Sequence, residues 1–270
     1  MHLPSLANYR HIVVLTGAGI SAESGIKTFR DAGGLWENHR IEDVATPAAF
    51  ARDPHLVWRF YSMRRQAAAQ AKPNLAHLAL DAYAAHHQGQ LTLVTQNVDT
   101  LHERARSIGQ LDPLCMHGSL EKSRCSDCGM VYLDDMAWLP ENEETKAYST
   151  ELLSKSDKSA EHSITQFTLK FADGLPLSPC CGTLLRPHIV WFGEMPLYMD
   201  RIWHELADCD LFISIGTSGV VYPAAGFIEV AKEHGAETIC VNLEPLPQSA
   251  KIDHFIQGSA GTIVPQLFKR

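Results

Sequence analysis

Gly17-Ala18-Gly19-Ile20-Ser21-Ala22 follows the spacing G-x-G-x-x-A and continues the apolar run "HIVVLTGAG" at 11–19. Glycines placed this way let the backbone approach a pyrophosphate, whose charge is favourable at a helix N-terminus. The local reading is therefore strand, phosphate-binding turn, helix, with Gly33 and Gly34 as a mobile loop nearby. Any tight strand-to-helix turn uses glycine, so the pattern alone is a weak signal. Dehydrogenases add an acidic ribose ligand at the end of a second strand, about twenty positions on. No such strand follows here, which speaks against routine hydride transfer.

Three further sets carry chemistry. Cys125 and Cys128 form C-x2-C, and Cys180 and Cys181 stand together before Gly182, a set suited to structural zinc. His117, in "MHGSL", can serve as a base near neutral pH, although a lone histidine is more often structural. In "VWRFYSMRRQ" (57–66) the apolar residues read as the buried face of a helix. Tyr61 and Arg64 stand three apart on one side of that helix. They are either a solvated edge or a phenol and a guanidinium placed for something negative.

Four apolar runs must position these groups: 11–19, "LTLVTQNVD" (91–99), "LFISIGTSG" (211–219) and "TICVNLEP" (238–245). Helix-like segments such as "PAAGFIEVAKEHG" (223–235) separate them, the pattern of an α/β, doubly wound parallel sheet. Ligands of such sheets bind beyond the carboxyl ends of the strands. There Gly17, Gln96, Asn97, Asp99, Thr217, Ser218, Asn242 and Glu244 would collect. Singly most would be turn residues; together they point to a shared site. Residues 118–186 interrupt the pattern as a small module with a flexible, solvated polar excursion at 141–166. Cys115, Cys209 and Cys240 lie in strand-like segments and are expected to be buried.

The chain has 270 residues, 45% hydrophobic and 20% charged, with net charge −8, enough for one large domain or one plus a small module. It has no long basic run, so no nucleic-acid partner is expected. No apolar run reaches membrane-spanning length, so no membrane partner is expected either. An odd number of cysteines, seven, without secretory context, points to a cytoplasmic protein.

"GAGISAESGIKTFRDAGGLW", "TQNVDTLHERA", "MHGSL", "LLRPHIVWFGE", "GTSGVVYPAAG" and "VNLEP" occur in the order seen in sirtuins, the NAD-dependent protein lysine deacylases of the Sir2 family. The resemblance runs from Ile12 to the C-terminus apart from the polar excursion. It implies a Rossmann-like NAD-binding domain from 1–117 and 187–270, with 35–75 partly a helical substrate-pocket module. It also implies a zinc-ribbon-like module over 118–186.

His117 matches the catalytic histidine. In the reaction the acyl-lysine carbonyl oxygen attacks the anomeric carbon of the nicotinamide ribose and nicotinamide leaves. A base then takes a proton from a ribose hydroxyl, whose oxygen attacks the imidate carbon. The products are free lysine, nicotinamide and O-acyl-ADP-ribose, so NAD is a consumed co-substrate. Asn97, also counted as catalytic, matches the ribose and nicotinamide pocket together with Gln96, Val98 and Asp99. The bland alternative for Asn97 and Asp99 is capping of a strand end.

The resemblance extends the cofactor set to Gly17, Ala18, Gly19 and Ala22 in the glycine turn, and to Phe29 and Arg30 in the cofactor loop. Gly216, Thr217 and Ser218 match the diphosphate and ribose contacts, and Asn242, Leu243, Glu244 and Ala260 the adenosine end. Val190, Phe192, Gly193 and Glu194 on one side and Val220 on the other match the edges between which a substrate backbone pairs.

In the zinc module the chain departs from the family. Cys181 stands where a ligand is expected, but Ser178 holds the position of its C-x2-C partner. Cys180 is the candidate fourth ligand, although adjacent side chains reach one ion with difficulty, and His162 is the alternative. Ala45, Tyr61 and Arg64 match the acyl pocket of class III sirtuins, the desuccinylase and demalonylase kind. A small alanine leaves room, and a guanidinium fork suits a carboxylate. The implied partner is acylated lysine on proteins, carrying succinyl, malonyl, glutaryl or acetyl groups. The rival readings are an NAD glycohydrolase or ADP-ribosyltransferase on the same site, and a non-catalytic NAD sensor.

Overall fold

Strand His11–Thr16 has parallel neighbours on both sides, Leu211–Ile215 and Gln90–Thr95. The computed structural model describes residues 3–27, 35–36, 39–133, 148–153, 164–167, 170–247 and 249–269. They divide into two units, one of 1–31, 71–117 and 196–270, the other of 32–70 and 118–195.

In the first unit the sheet runs His254–Gln257, Glu237–Asn242, Leu211–Ile215, His11–Thr16, Gln90–Thr95, Leu114–Cys115 among the described residues, all parallel. Taken in chain order this is the 3-2-1-4-5-6 arrangement of a Rossmann-like, doubly wound α/β fold. Alternate residues face opposite layers. Ile12 and Val14 join a core with Leu80, Ile263 and Val264, while Val13 and Leu15 join one with Ile202, Leu206 and Phe227. Burial on both faces explains why the strands read as nearly continuous apolar runs. Two outer strands, Leu114–Cys115 and His254–Gln257, are too short for that signal.

In the second unit Leu185–Ile189, Gly118–Cys125, Val131–Leu133, Tyr148–Leu153 and Ile164–Phe167 form an antiparallel sheet. Strand Tyr148–Leu153 and all but the last residue of Ile164–Phe167 lie inside the stretch expected to be a flexible, solvated excursion, and their backbones pair over four residue positions. "YSTELL" and "ITQF" interleave β-branched or aromatic residues with polar ones, a strand pattern that the surrounding Glu and Lys obscure. Helix Pro54–Gln70 starts where Asp53 Oδ1 accepts the Leu56 N–H at 2.9 Å. It buries Val57, Trp58, Tyr61, Arg65 and Ala68 along one helical stripe, with Phe60 and Ser62 buried on its two flanks. Trp58 Nε1 donates to Leu185 O at 2.9 Å, and Arg65 Nη2 to Lys122 O at 3.0 Å, tying helix to sheet.

Candidate active site

The strand order of the first unit reverses between His11–Thr16 and Leu211–Ile215, so a crevice is expected where Gly17 and Gly216 leave the sheet. Gly17 N–H donates to Ile215 O at 3.0 Å and Gly19 N–H to Gly216 O at 2.8 Å. A Cβ on Gly19 would stand 2.7 Å from Gly216 backbone atoms, and one on Gly216, whose φ is +60°, 2.5 Å from Ile20 N. Only glycine fits at either place.

The helix expected after this turn is instead two short 3-10 turns, Ala18–Ile20 and Ala22–Ser24, ended by left-handed Gly25. Ser21 faces inward, where its hydroxyl is bound. Glu23 crosses to helix Ala260–Leu267, accepting the Gly261 N–H at 2.6 Å and the Ser259 hydroxyl at 3.1 Å. Ala260 is buried beside this cap.

Asn97 is buried, and its amide donates to Gly17 O at 3.2 Å and to Ser21 Oγ at 3.1 Å. Both N–H groups are spent, so Oδ1 is what Asn97 can offer a ligand. Behind it, Asn97 N–H donates to Thr95 Oγ1, Thr16 Oγ1 donates to the same oxygen, and His102 Nε2 bonds Thr16 Oγ1 at 3.0 Å. His77, its Nε2 3.5 Å from Ser21 Oγ, lies against His102 with ring centroids 4.8 Å apart. Burial lowers the His77 pKa to about 4 and holds His102 well below its ordinary value, with His77 adding to the effect on His102. Both rings are neutral at pH 7.

His117 Nδ1 lies 3.0 Å from the Gln96 carbonyl. A carbonyl only accepts, so Nδ1 carries the proton and Nε2 is left bare. Burial lowers the His117 pKa, opposed by this hydrogen bond, which favours the protonated ring. The Gln96 side chain donates to Thr217 Oγ1 at 3.1 Å, and Asn242 Nδ2 to Thr217 O at 2.9 Å. Three strand ends are thus joined around Thr217. Asp99 Oδ1 accepts the Leu101 N–H at 3.0 Å, the capping role of the bland reading. Ser218 and Val98 are half-buried, and Ala22, Leu243 and Glu244 are exposed. Phe29 and Arg30 lie outside the described residues.

In the second unit Tyr61 is completely buried rather than lining an open surface, and Arg64 is half-buried. Trp191 Nε1 donates to the Tyr61 hydroxyl at 3.0 Å, and the next residue, Phe192, donates its N–H to Ala45 O at 3.0 Å. The sequence-selected Ala45 and Tyr61 are therefore brought together by "WF". Burial pushes the Tyr61 pKa far up, against the opposing charge of Arg64.

Glu194, expected at the substrate edge, has its carboxylate committed. It accepts from Arg186 Nη1 and from Arg124 Nη2, each at 2.7 Å, and from the Trp191 N–H at 2.8 Å. Burial would raise its pKa, but Arg186 and these partners hold it below the usual range. Residues 190–194 and 219–222 are irregular backbone with short turns, outside the strands, with Phe192 and Val220 exposed, Gly193 exposed and Val190 half-buried.

Cys125, Cys128, Cys180 and Cys181 bring their sulfurs within 4.8 Å of one another. Four thiolates about 2.3 Å from one zinc ion stand about 3.8 Å apart, so the set fits a tetrahedral site. The adjacent pair does converge, and Ser178, buried, holds Cys180 Sγ at 2.8 Å. His162 lies outside the described residues. Cys240 is buried in its strand. Cys209 is buried too, but caps helix Met199–Asp208, and Cys115 is only half-buried.

The sequence profile of the Sir2 family matches residues 17–223. The chain belongs to the Sir2 family. It is 50% identical over 263 residues to an NAD-dependent protein deacylase of Vibrio vulnificus, covering 96% of this chain and 92% of that one. Among solved structures, a Sir2 homologue in complex with NAD superposes with a TM-score of 0.79 at 35% identity, over 100% of this chain and 95% of that chain. A Sir2–p53 peptide–NAD+ structure follows at 0.74 and 26% identity, over 97% and 93%.

Sequence reasoning about this Sir2-family chain passed over Ser21, His77, His102 and Trp191. A signal for two of them exists. His77 follows Asn74 by three positions and stands among the apolar residues of "LAHLAL", a polar group on a buried stripe. Ser21 sits inside the glycine turn itself.

Proposed function

We propose that this Sir2-family chain is an NAD-dependent protein lysine deacylase that removes succinyl and malonyl groups, and acetyl as well, from lysine side chains. The observation that carries the reading is the His117 tautomer, with Nδ1–H bound to the Gln96 carbonyl and Nε2 bare. NAD supplies an electrophilic ribose carbon when bound and is consumed as a co-substrate. His117 Nε2 takes the proton of a ribose hydroxyl, which requires the neutral ring that burial favours. Asn97 Oδ1, held by its own amide bonds, orients the ribose and carboxamide end. Gly17, Gly19, Gly216 and Thr217 receive the diphosphate, and Asn242 and Glu244 the adenosine end. The four cysteines hold structural zinc and take no part in the chemistry.

The acidic preference rests on Ala45, Tyr61 and Arg64. A hydrogen bond to a charged group contributes roughly 1.5–3 kcal/mol, enough for about ten- to more than a hundredfold selectivity. An odd number of cysteines, four of them gathered in the metal cluster, suits a reducing compartment, and we place the enzyme in the cytoplasm. Among the described residues no helix is long and apolar enough to cross a membrane.

The test is mass spectrometry of acetyl-, malonyl- and succinyl-lysine peptides incubated with and without NAD, with His117→Ala as control. NAD-dependent loss of the acyl group supports the reading. No loss from any peptide overturns it.

A further inference from the structure

Trp191 is 2% exposed and gives its only side-chain polar group, the indole N–H, to the Tyr61 hydroxyl at 3.0 Å. Indole nitrogen donates and never accepts, so the phenol oxygen must be the acceptor in this pair. The phenolic proton is thereby directed elsewhere, and among the described residues it has no hydrogen-bond acceptor. A buried donor left unpaired is unfavourable, so the arrangement suits an acceptor brought by a ligand.

The indole itself is fixed from several directions. The Arg186 guanidinium lies 3.4 Å from its ring centroid, and the Phe50 ring centroid is 5.5 Å away. Its own backbone N–H is bound by Glu194, which also clamps Arg186 and Arg124. Phe192, directly after it, is anchored on Ala45.

We infer that Trp191 is a specificity-determining positioning residue: its indole N–H sets the Tyr61 hydroxyl so that the phenolic proton is offered to an acidic acyl terminus. This rests on the acyl preference proposed above. The chemistry distinguishes acyl groups directly. A carboxylate accepts the proton, whereas the methyl of an acetyl group leaves it unpaired. Burial keeps the phenol in its protonated, donating form, and a phenolate would repel the acid instead. The Arg64 charge faces the same phenol from the same helix and adds attraction for the carboxylate.

The experiment compares wild type, Trp191→Phe, Tyr61→Phe, the double variant and Arg64→Met on succinyl- and acetyl-lysine forms of one peptide. Phenylalanine keeps an aromatic ring under Arg186 and removes the N–H. For Trp191→Phe the succinyl-to-acetyl ratio of kcat/KM is expected to fall roughly three- to tenfold, mainly through KM for the succinyl peptide. Damage shared by both peptides cancels in that ratio. The double variant is expected to match Tyr61→Phe, because Trp191 acts through that hydroxyl. Indole-15N NMR of the wild type adds a readout independent of how well a variant folds: the Trp191 N–H signal should shift when a succinyl-lysine peptide binds, and less with the acetyl form.

A wild type with no preference for succinyl over acetyl overturns the acyl reading and this inference with it. A wild type with that preference, lowered by Tyr61→Phe and Arg64→Met but kept within twofold by Trp191→Phe, overturns the inference alone.

Discussion

Gln96 holds His117 by its backbone: the carbonyl accepts the Nδ1 proton at 3.0 Å, while the Gln96 side chain is bound to Thr217. One residue therefore fixes the tautomer of the candidate base and connects it to the neighbouring strand end. The carbonyl stabilises the N–H at one end of the ring and so keeps the lone pair at the other. Burial disfavours the charged ring and outweighs the same hydrogen bond, which favours it. The base is thus in its working form at neutral pH with no carboxylate partner among the described residues.

The buried pair His77 and His102 makes stability depend on pH. Both rings are neutral in the fold, with the His77 pKa near 4 and that of His102 well below its ordinary value. In the unfolded chain each binds a proton below about pH 6.5. Their contribution is therefore complete above that value and lost as the pH falls toward 4 and below. Each histidine contributes a slope of about 1.4 kcal/mol per pH unit within its window. Urea unfolding between pH 7 and 4.5 should show a falling midpoint, and His77→Gln should flatten the fall by about one proton. An unchanged slope in that variant contradicts the neutral assignment.

Gly19→Ala tests the close approach of the two turns. Its Cβ would meet Gly216 backbone at 2.7 Å, and backbone on both sides cannot yield as a flexible side chain would. A stability loss of about 1–3 kcal/mol is expected, together with NAD binding weakened at least about tenfold, since the diphosphate turn must shift. Calorimetric titration with NAD and a thermal melt read both. Wild-type affinity in the variant is the contrary result.

The cysteine cluster predicts one zinc per chain, measured by elemental analysis of the purified protein. Cys180→Ser and Cys181→Ser should each lose the metal and lower the Tm, as should a strong chelator. Full zinc content in Cys180→Ser excludes that residue as a ligand.

Much of this was legible in the sequence because it rests on local rules. Strands buried on both faces appear as apolar runs, and the glycine turn as an uninterrupted pattern. The Cys125 and Cys128 pair is visible through its spacing alone. What stayed hidden depends on partners far apart in the chain. The Trp191 bond to Tyr61 spans 130 residues, and nothing in "VWFGE" announces that Glu194 is bound to two arginines. The residues after the first strand are compatible with the start of a helix, since glycine and serine there fit one. The inward Ser21, bound by Asn97, and left-handed Gly25 instead stop each turn after three residues. The convergence of Cys180 and Cys181 follows from the fold of their loop, which spacing does not encode.

His117→Ala puts the central claim to the most direct test, by following two products of one reaction. A base that acts on a ribose hydroxyl is needed after nicotinamide has left, not before. The variant should still exchange labelled nicotinamide into NAD in the presence of acyl-lysine peptide, while deacylation falls by about 10²–10⁴-fold. Deacylation at the wild-type rate, or equal loss of exchange and deacylation, would contradict the role assigned to His117.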